Sequence, residues 1–494
     1  MAPSPASIQD PAARLSEATL DQLGPEVLRP AYDRAATRVG IVHFGPGAFH
    51  RAHQAFYVDR MLAVDPGLAI CGVSLNSDTV REALEPQEGL YSLTERDAEP
   101  SIRVIGAIRQ VLTAPRAPQA VFDRLTAPDL RVVTSTVTEK GYHLTAGGEL
   151  DLTHEAVRHD VAGEGAPRTL AGWLAEGLRR RRAAGLAPPV VISCDNLSGN
   201  GAKLGRSVLR LAQARGETDL AAWIAGEVSF PDSMVDSITP ATDDVLRAEA
   251  AARLGLVDAW PIQRERFTQW VVADELGPLS GVFAGAGVTL TGDVAGFERA
   301  KLRLLNGSHS TLAYVGLALG CESVFEAMSA PILAGFVERL AREDLAASLE
   351  PTPGLDLQAY VGDVLGRFRN PAIVHRLAQI AGDGSQKLPI RLLAATREAL
   401  AAGRPVARLA VGVAAWMQFV RRQAHVGAAI VDPRADELAD LGGACSGDPA
   451  ADVGRFLGLA GMFEGGLATA PAYRAALEAA YAALGEGRPE AVLV

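Results

Sequence analysis

Hydrophobic positions along the chain fall into two regimes. From Val39 to Val272, short runs rich in β-branched residues recur, and each empties into glycine or polar residues: Val39–Phe44, Ala69–Leu75, Ile102–Ile105, Arg131–Val137, Pro189–Ser193 and Phe267–Val272. Runs of this length bounded by turn residues predict buried strands. Helical periods lie between them, the first from Ala48 to Leu62. From about residue 293 onward the strand-like runs stop, and long Ala- and Leu-rich helical periods take over. The pattern therefore predicts an α/β chain in two parts: a domain of alternating strands and helices over 1–292, and a mainly α-helical domain over 293–494. Residues 1–37 are rich in Pro and Ala, with one short amphipathic piece at 18–28, and read as an arm packed over the first domain.

One helical period is unusual in what it buries. In FERAKLRLLNGSHSTLAYVGLALG, residues 297–320, Leu302, Leu304, Leu305, Leu312, Val315 and Leu317 make the helix apolar nearly all round. At about 100° per residue, Glu298, Lys301, Asn306 and His309 share one arc of roughly 140°. Burial disfavours the ammonium form of a lysine and moves it toward proton exchange near neutral pH, which makes Lys301 a candidate general acid/base. Spacing alone leaves a second reading open, in which Lys301 reaches solvent, Asn306-Gly307 ends a helix and His309 is a satisfied core imidazole.

The segment after the first predicted strand carries a different signal. Gly45-Pro-Gly47 is a tight turn between Val39–Phe44 and the helix from Ala48, the strand, glycine turn and helix order by which a dinucleotide pyrophosphate is received. Gly45, Gly47, Ala48, Phe49 and His50 are the candidate cofactor residues, with His50 where the third glycine of the usual fingerprint would stand. This order predicts a Rossmann-type first domain. His43, His50 and His53 raise the question of a metal, but no Cys ligand or HExxH spacing accompanies them, and no metal is expected. Asp78, after the second strand, is a candidate for the adenosine ribose hydroxyls, with Arg81 as a competing phosphate partner. Glu139 and Asn196 follow strands at ends where such sheets hold ligands, and Asp236 lies in a further polar segment, SFPDSMVDSITP.

Composition narrows the partners. With 494 residues and 48% hydrophobic content the chain can bury a large core. Its net charge of −11 argues against a nucleic acid partner, and the Arg179–Arg182 run reads as the charged end of a helix. Four scattered cysteines suit a reducing compartment, and neither a signal peptide nor a bilayer-length apolar run is evident, so a cytoplasmic protein without membrane attachment is expected, monomeric or a small homo-oligomer.

Several of these segments together resemble the long-chain polyol dehydrogenase family, which includes mannitol 2-dehydrogenase and fructuronate reductase. The likeness is carried by GPGAFHRAH (45–53), TEKGY (138–142), CDNLSGNG (194–201), the SFPDSMVDSITP segment, K-x-x-x-x-N-x-x-H (Lys301, Asn306, His309) and DGSQKLP (383–389). It implies a metal-independent oxidoreductase that uses NAD, with NADP not excluded, on a small sugar acid or polyol. Lys301 would transfer the proton, Asn196 and Asn306 would donate to the reacting oxygen, His309 would bind a substrate hydroxyl or hold Lys301, and Glu298 would carry the proton to solvent. Glu139 would line the cofactor site, while Asp236, Lys387 and Arg376 would hold substrate. The LLNGSHS and DGSQKLP forms resemble the fructuronate reductase branch more than the mannitol 2-dehydrogenase branch. A non-catalytic dinucleotide-binding regulator is the alternative of another class, against which stands the presence of the buried lysine, asparagines and histidine.

Overall fold

The computed structural model describes residues 13–493. The chain divides into two compact units, one up to Val294 and one from Ala295.

The first unit is built on five parallel strands: β1 (Val39–Phe44), β2 (Ala69–Ser74), β3 (Ile108–Thr113), β4 (Val132–Ser135) and β5 (Val190–Ser193). Their order across the sheet is β3-β2-β1-β4-β5. The order reverses between β1 and β4, and it is at such a switch point that open α/β sheets form a ligand crevice. Side chains alternate to two apolar layers: Ile41, Ile70, Val132 and Ile192 face one, and Val42, Cys71, Val133 and Val191 the other. Each of these is at most 2% exposed, and full burial of a side chain of this size stabilises by about 1.5–3 kcal/mol. The helices at 118–125, 170–183 and 200–214 cover the second layer, and those at 54–61 and 280–285 the first.

Two smaller sheets complete this unit. Val27–Leu28, Ser101–Ile105, Tyr91–Arg96 and Ile262–Glu265 form one, and Thr289–Thr291, Gln269–Ala273 and Ser233–Asp236 the other. The expected strand at 102–105 therefore exists but belongs outside the parallel sheet. The described part of the arm does pack: Arg14 bridges to Val257, Val27 pairs with Ile102, and Arg34 donates to the carbonyls of Gly106, Glu88 and Ile108. Residues 1–12 of the arm lie outside the described residues.

The Arg179–Arg182 run ends the helix Leu170–Ala183, as its sequence indicates. Arg179 and Arg180 pair with Glu176, and the buried Arg181 donates to the carbonyls of Leu125, Ala127 and Ala187.

The second unit is helical. Its longest element, Ala407–His425, packs against the helices at 308–318, 435–443 and 471–485. No helix among the described residues is long and apolar enough to cross a membrane.

Candidate active site

The first unit carries a cleft of about 1040 Å³ at the carboxyl ends of β1, β2 and β4. Gly45, Pro46 and Gly47 form its floor, Ser74, Asn76, Ser77 and Pro115 one side, and Thr136, Val137 and Thr138 the other. Gly45 has φ +87, and a Cβ there would lie 2.2 Å from the Thr136 carbonyl oxygen, so only glycine fits this turn. Gly47 caps the helix Ala48–Ala52. The expected long helix is broken at His53, whose backbone (φ −117, ψ −84) leaves the helical region before Gln54–Met61 resumes.

Of the five residues expected to meet a dinucleotide here, Gly45 and Gly47 line the cleft and Ala48, Phe49 and His50 do not. Phe49 stacks on His53 at 5.0 Å. His50 is fully buried, its ring lying on that of His43 at 3.4 Å with an interplanar angle of 16°. That stack explains how the first helix accommodates a bulky residue where glycine is usual: the imidazole lies flat on a neighbouring ring.

The histidines are also placed for roles other than metal binding. His43 is held between the Thr134 hydroxyl (2.7 Å from Nδ1) and the Thr136 hydroxyl (3.0 Å from Nε2), and His53 Nε2 meets the Gln269 carbonyl at 2.8 Å. Among the described residues no three His, Cys, Asp or Glu side chains are grouped to hold an ion. Burial holds the His43 imidazole down to about 3, and burial with the charges of His43, Arg51 and His53 holds His50 well below the usual histidine range.

Asp78 does not line the cleft, although Asn76 and Ser77 beside it do. Its carboxylate accepts from Thr113 (2.6 Å), pairs with Arg81 (3.2 Å) and pairs again with Arg116. The Thr113 hydroxyl, ahead of the two guanidinium groups, keeps this carboxyl below its usual range. In this arrangement the Asp78 carboxylate ties Arg81 and Arg116 together. Glu139 is likewise exposed, at the start of the 3-10 turn Glu139–Tyr142, while its neighbours Thr138 and Lys140 line the cleft.

Beyond β5 the CDNLSGNG block sorts into separate duties. Asn196 is exposed just past the strand end. Asp195, not singled out by the sequence, accepts from the backbone N–H of Thr138 (2.8 Å) and Val137 (3.2 Å) and from the Tyr142 hydroxyl (2.7 Å). Burial pushes its carboxyl up despite these donors. Asn200 is a structural staple: its amide donates to the carbonyls of Asp195 (3.0 Å) and Ser233 (2.9 Å) and accepts from the Ser233 N–H (2.9 Å). Asp236 is buried at the end of its strand, opposite Gln269.

In the second unit, the lysine helix is not uniformly α. Val294–Ala300 is α-helical, Lys301–Gly307 is wound as a π-helix, and Ser308–Ala318 returns to α. Each π residue advances less around the axis, which brings Asn306 closer to the line of Lys301 and keeps Glu298, Lys301, Asn306 and His309 on one side of the helix. The segment is also buried: between Lys301 and Gly316 only Leu302 and Asn306 are not buried, and Lys301 is 8% exposed. Glu298 is partly buried in the α-helical turn before Lys301. π-helical turns cluster at functional sites. Two contacts hold this one: Arg303 forms a two-pronged ion pair with Glu398, each bond 2.5 Å, and Gly307 packs so closely that a Cβ would lie 3.0 Å from the Arg391 carbonyl oxygen.

His309 packs between Phe368 (5.2 Å, stacked) and His375 (4.6 Å, edge-on), and its Nε2 is buried without a hydrogen-bond partner. Burial, followed by the charges of His375, Arg391, Arg367 and Lys387, holds its imidazole well below the usual range, so it is neutral. Arg391 escaped the sequence reading. Its guanidinium donates to Ser310 Oγ (3.0 Å) and lies 3.5 Å from the Asn306 carbonyl, while its buried Nε has no partner.

Lys387 and Arg376, the sequence candidates for holding substrate, differ in their surroundings. The expected DGSQKLP loop is the helix Gly384–Leu388 running into a second π segment, Pro389–Leu393. Lys387 Nζ donates to the Gly382 carbonyl (2.6 Å) and sits 3.5 Å from Asp383, so much of its charge is spent closing its own turn. Gly384 is required there because a Cβ would meet Trp416 Nε1 at 2.4 Å. Arg376 is exposed and precedes the helix Leu377–Ile380, outside any continuous helix leading to Lys387.

Comparison with known proteins follows the same two-part division. Residues 39–278 match the mannitol dehydrogenase Rossmann domain and residues 293–485 the mannitol dehydrogenase C-terminal domain. The chain is 39% identical over 469 residues to D-mannonate oxidoreductase of Escherichia coli, covering 93% of this chain and 96% of that one. It is 39% identical over 420 residues to mannitol 2-dehydrogenase of Pyrenophora tritici-repentis, covering 83% and 74%. Among solved structures, Pseudomonas fluorescens mannitol 2-dehydrogenase in ternary complex with NAD and D-mannitol superposes with a TM-score of 0.79 at 36% identity, covering 97% of this chain and 98% of that one. The chain belongs to the mannitol dehydrogenase family.

Proposed function

We propose that this protein is an NAD-dependent secondary-alcohol dehydrogenase that interconverts a ketose-type sugar acid and its alcohol, with D-fructuronate and D-mannonate as the pair. The cleft at the sheet switch point suits a dinucleotide, because the Gly45 turn leaves no side chain between backbone and ligand. NAD, when bound, supplies the hydride acceptor. The chain's own residues then have to move a proton and stabilise charge on the substrate oxygen. Lys301 is assigned the proton, and the amides of Asn306 and Asn196 the donation to that oxygen, with Glu298 as the exit for the proton. His309, neutral and with Nε2 unspent, is assigned to a substrate hydroxyl. Asp236 keeps its assignment to substrate on the family motif.

The acid rather than the polyol is favoured by one observation: Arg391, which bonds Ser310 and reaches the Asn306 carbonyl, keeps a buried Nε without a partner. A guanidinium so placed suits a substrate carboxylate, and Arg391 joins Lys387 and Arg376, the sequence candidates for that role. The internal bonds of Lys387 favour the second reading, mannitol 2-dehydrogenase acting on D-fructose and D-mannitol. Identity does not separate the two, being 39% to a relative of each name. We expect kcat/KM with NADH to be about ten- to a hundredfold higher for D-fructuronate than for D-fructose, the range of one charge-assisted contact. Equal values, or a preference for fructose, remove the carboxylate argument.

The preference for NAD over NADP is assigned to Asp78 through its two arginines. With the carboxylate present, Arg81 and Arg116 are engaged; in Asp78→Ala Arg116 is released and Arg81 keeps only Glu85, close in the chain to Asn76 and Ser77 of the cleft. The NADP to NAD ratio of kcat/KM should then rise by roughly tenfold or more. An unchanged ratio would show that these arginines do not reach a 2′-phosphate.

A further inference from the structure

The side of the cleft formed by Thr136, Val137 and Thr138 is fixed at both ends. At its start, the Thr136 hydroxyl donates to the Gly45 carbonyl at 2.7 Å and is held from below by His43 Nε2 at 3.0 Å, so this end is locked to the glycine turn. At its other end, Thr138 has φ 65 and ψ 162. That region of backbone space is open to glycine and costly for a β-branched residue. Such a conformation persists only where the surroundings over-determine it.

Asp195 is what over-determines it. One carboxylate oxygen accepts the Thr138 N–H at 2.8 Å, and the other accepts both the Val137 N–H at 3.2 Å and the Tyr142 hydroxyl at 2.7 Å. The backbone that carries the carboxylate is itself tied down, since the Asn200 amide joins the Asp195 carbonyl to the strand at 233–236. The residue after Asp195 is Asn196, the proposed donor to the substrate oxygen.

We infer that Asp195 is a positioning residue that sets the register between the dinucleotide side of the cleft and Asn196, by holding Thr138 in a conformation it would otherwise leave. The inference rests on the dinucleotide reading of the cleft given above. It assigns the β4 loop a task beyond lining a pocket: the cofactor and the amide donor are fixed to one carboxylate, so that a shift of either displaces the other. Only an ionised side chain of this size accepts three donors from two sides. An amide at 195 offers one accepting oxygen and turns its NH2 toward a donor.

The test uses the full-length protein, with NADH as the probe, read by fluorescence titration, by steady-state kinetics and by thermal midpoint. Asp195→Asn is expected to raise the Kd for NADH by about tenfold or more and to lower kcat at saturating NADH as well. Thr138→Gly, which can hold the same backbone angles without strain but also leave them, is expected to keep or raise the thermal midpoint while weakening NADH several-fold. In the double variant the thermal midpoint should recover toward wild type while NADH affinity stays low, a split that a merely structural role for Asp195 does not produce. Wild-type affinity in Asp195→Asn, or recovery of both properties together in the double variant, overturns the inference. If Asp195→Asn does not fold, Thr138→Gly decides alone, and an unchanged Kd overturns it. Failure of the wild-type protein to bind NADH is a different result, which refutes the dinucleotide reading itself.

Discussion

Replacing Lys301 by Ala is expected to lower turnover by about a thousandfold or more while leaving the Kd for NADH within about twofold of wild type. The asymmetry follows from the role proposed for the side chain. The residues that form the dinucleotide cleft all lie between Gly45 and Leu170, so removing an ammonium at 301 takes nothing from that cleft. What is lost is proton transfer, typically worth 10²–10⁴-fold, together with a positive charge beside the developing alkoxide. The π segment that carries Lys301 is held by Arg303 with Glu398 and by the close approach of Gly307 to Arg391, neither of which the substitution touches. An unaltered thermal midpoint would therefore accompany the loss, and added primary amine should restore part of the rate. Retention of near wild-type turnover when chemistry is rate-limiting would remove Lys301 from the mechanism.

The sequence carried the parts of this site that depend on local pattern. β1, β2, β4 and β5 were each visible as short β-branched runs, because both faces of a parallel sheet are buried and leave few polar positions. β3 was not: Ile108–Thr113 is an edge strand in which Arg109 and Gln110 are half-buried and bond Glu17 and Arg124, so its alternation is interrupted. The apolar surround of Lys301 was legible, yet its π winding was not, since a 3.6-residue period fits the same side chains either way. Functions set by distant partners were hidden altogether. The partners of Asp78 could not be read, because Thr113, 35 residues away, and Arg116 leave no trace beside it. Lys387 looked free because the carbonyls it caps are invisible in a string of residues. Asp195 stood within a motif already marked, but its donors come from 53 to 58 residues earlier, and only the folded chain shows them.

Acidification should destabilise the protein well above the pH at which carboxylates titrate. His43, His50 and His309 are buried and neutral, with folded values far below the ordinary 6.5 of an unfolded histidine. A depressed histidine binds its proton in the unfolded chain first, so each contributes stability that is fully present above about pH 6.5 and is withdrawn as pH falls toward the folded value. Below 6.5 the limiting slope is about 1.4 kcal/mol per pH unit for each, hence roughly 2.7 kcal/mol per unit for His43 and His50 together in the first unit. Against a total of 5–15 kcal/mol for a typical domain, two pH units are enough to threaten the fold. Asp59 and Asp195, raised by burial, act with the opposite sign on acidification, so the histidine contribution is read across about pH 7.5 to 5.5 by comparison with a variant that lacks one imidazole. Urea midpoints measured across that window should fall steadily. His50→Phe separates the cause, because a phenyl ring can keep the stack on His43 and both His50 nitrogens lack partners. The variant should be no less stable at pH 7.5 and should lose about half of the first unit's pH slope. A midpoint that does not move between pH 7.5 and 5.5, or a slope unaffected by His50→Phe, would mean that the buried imidazoles are protonated in the folded protein and that the stacked pair is not held neutral.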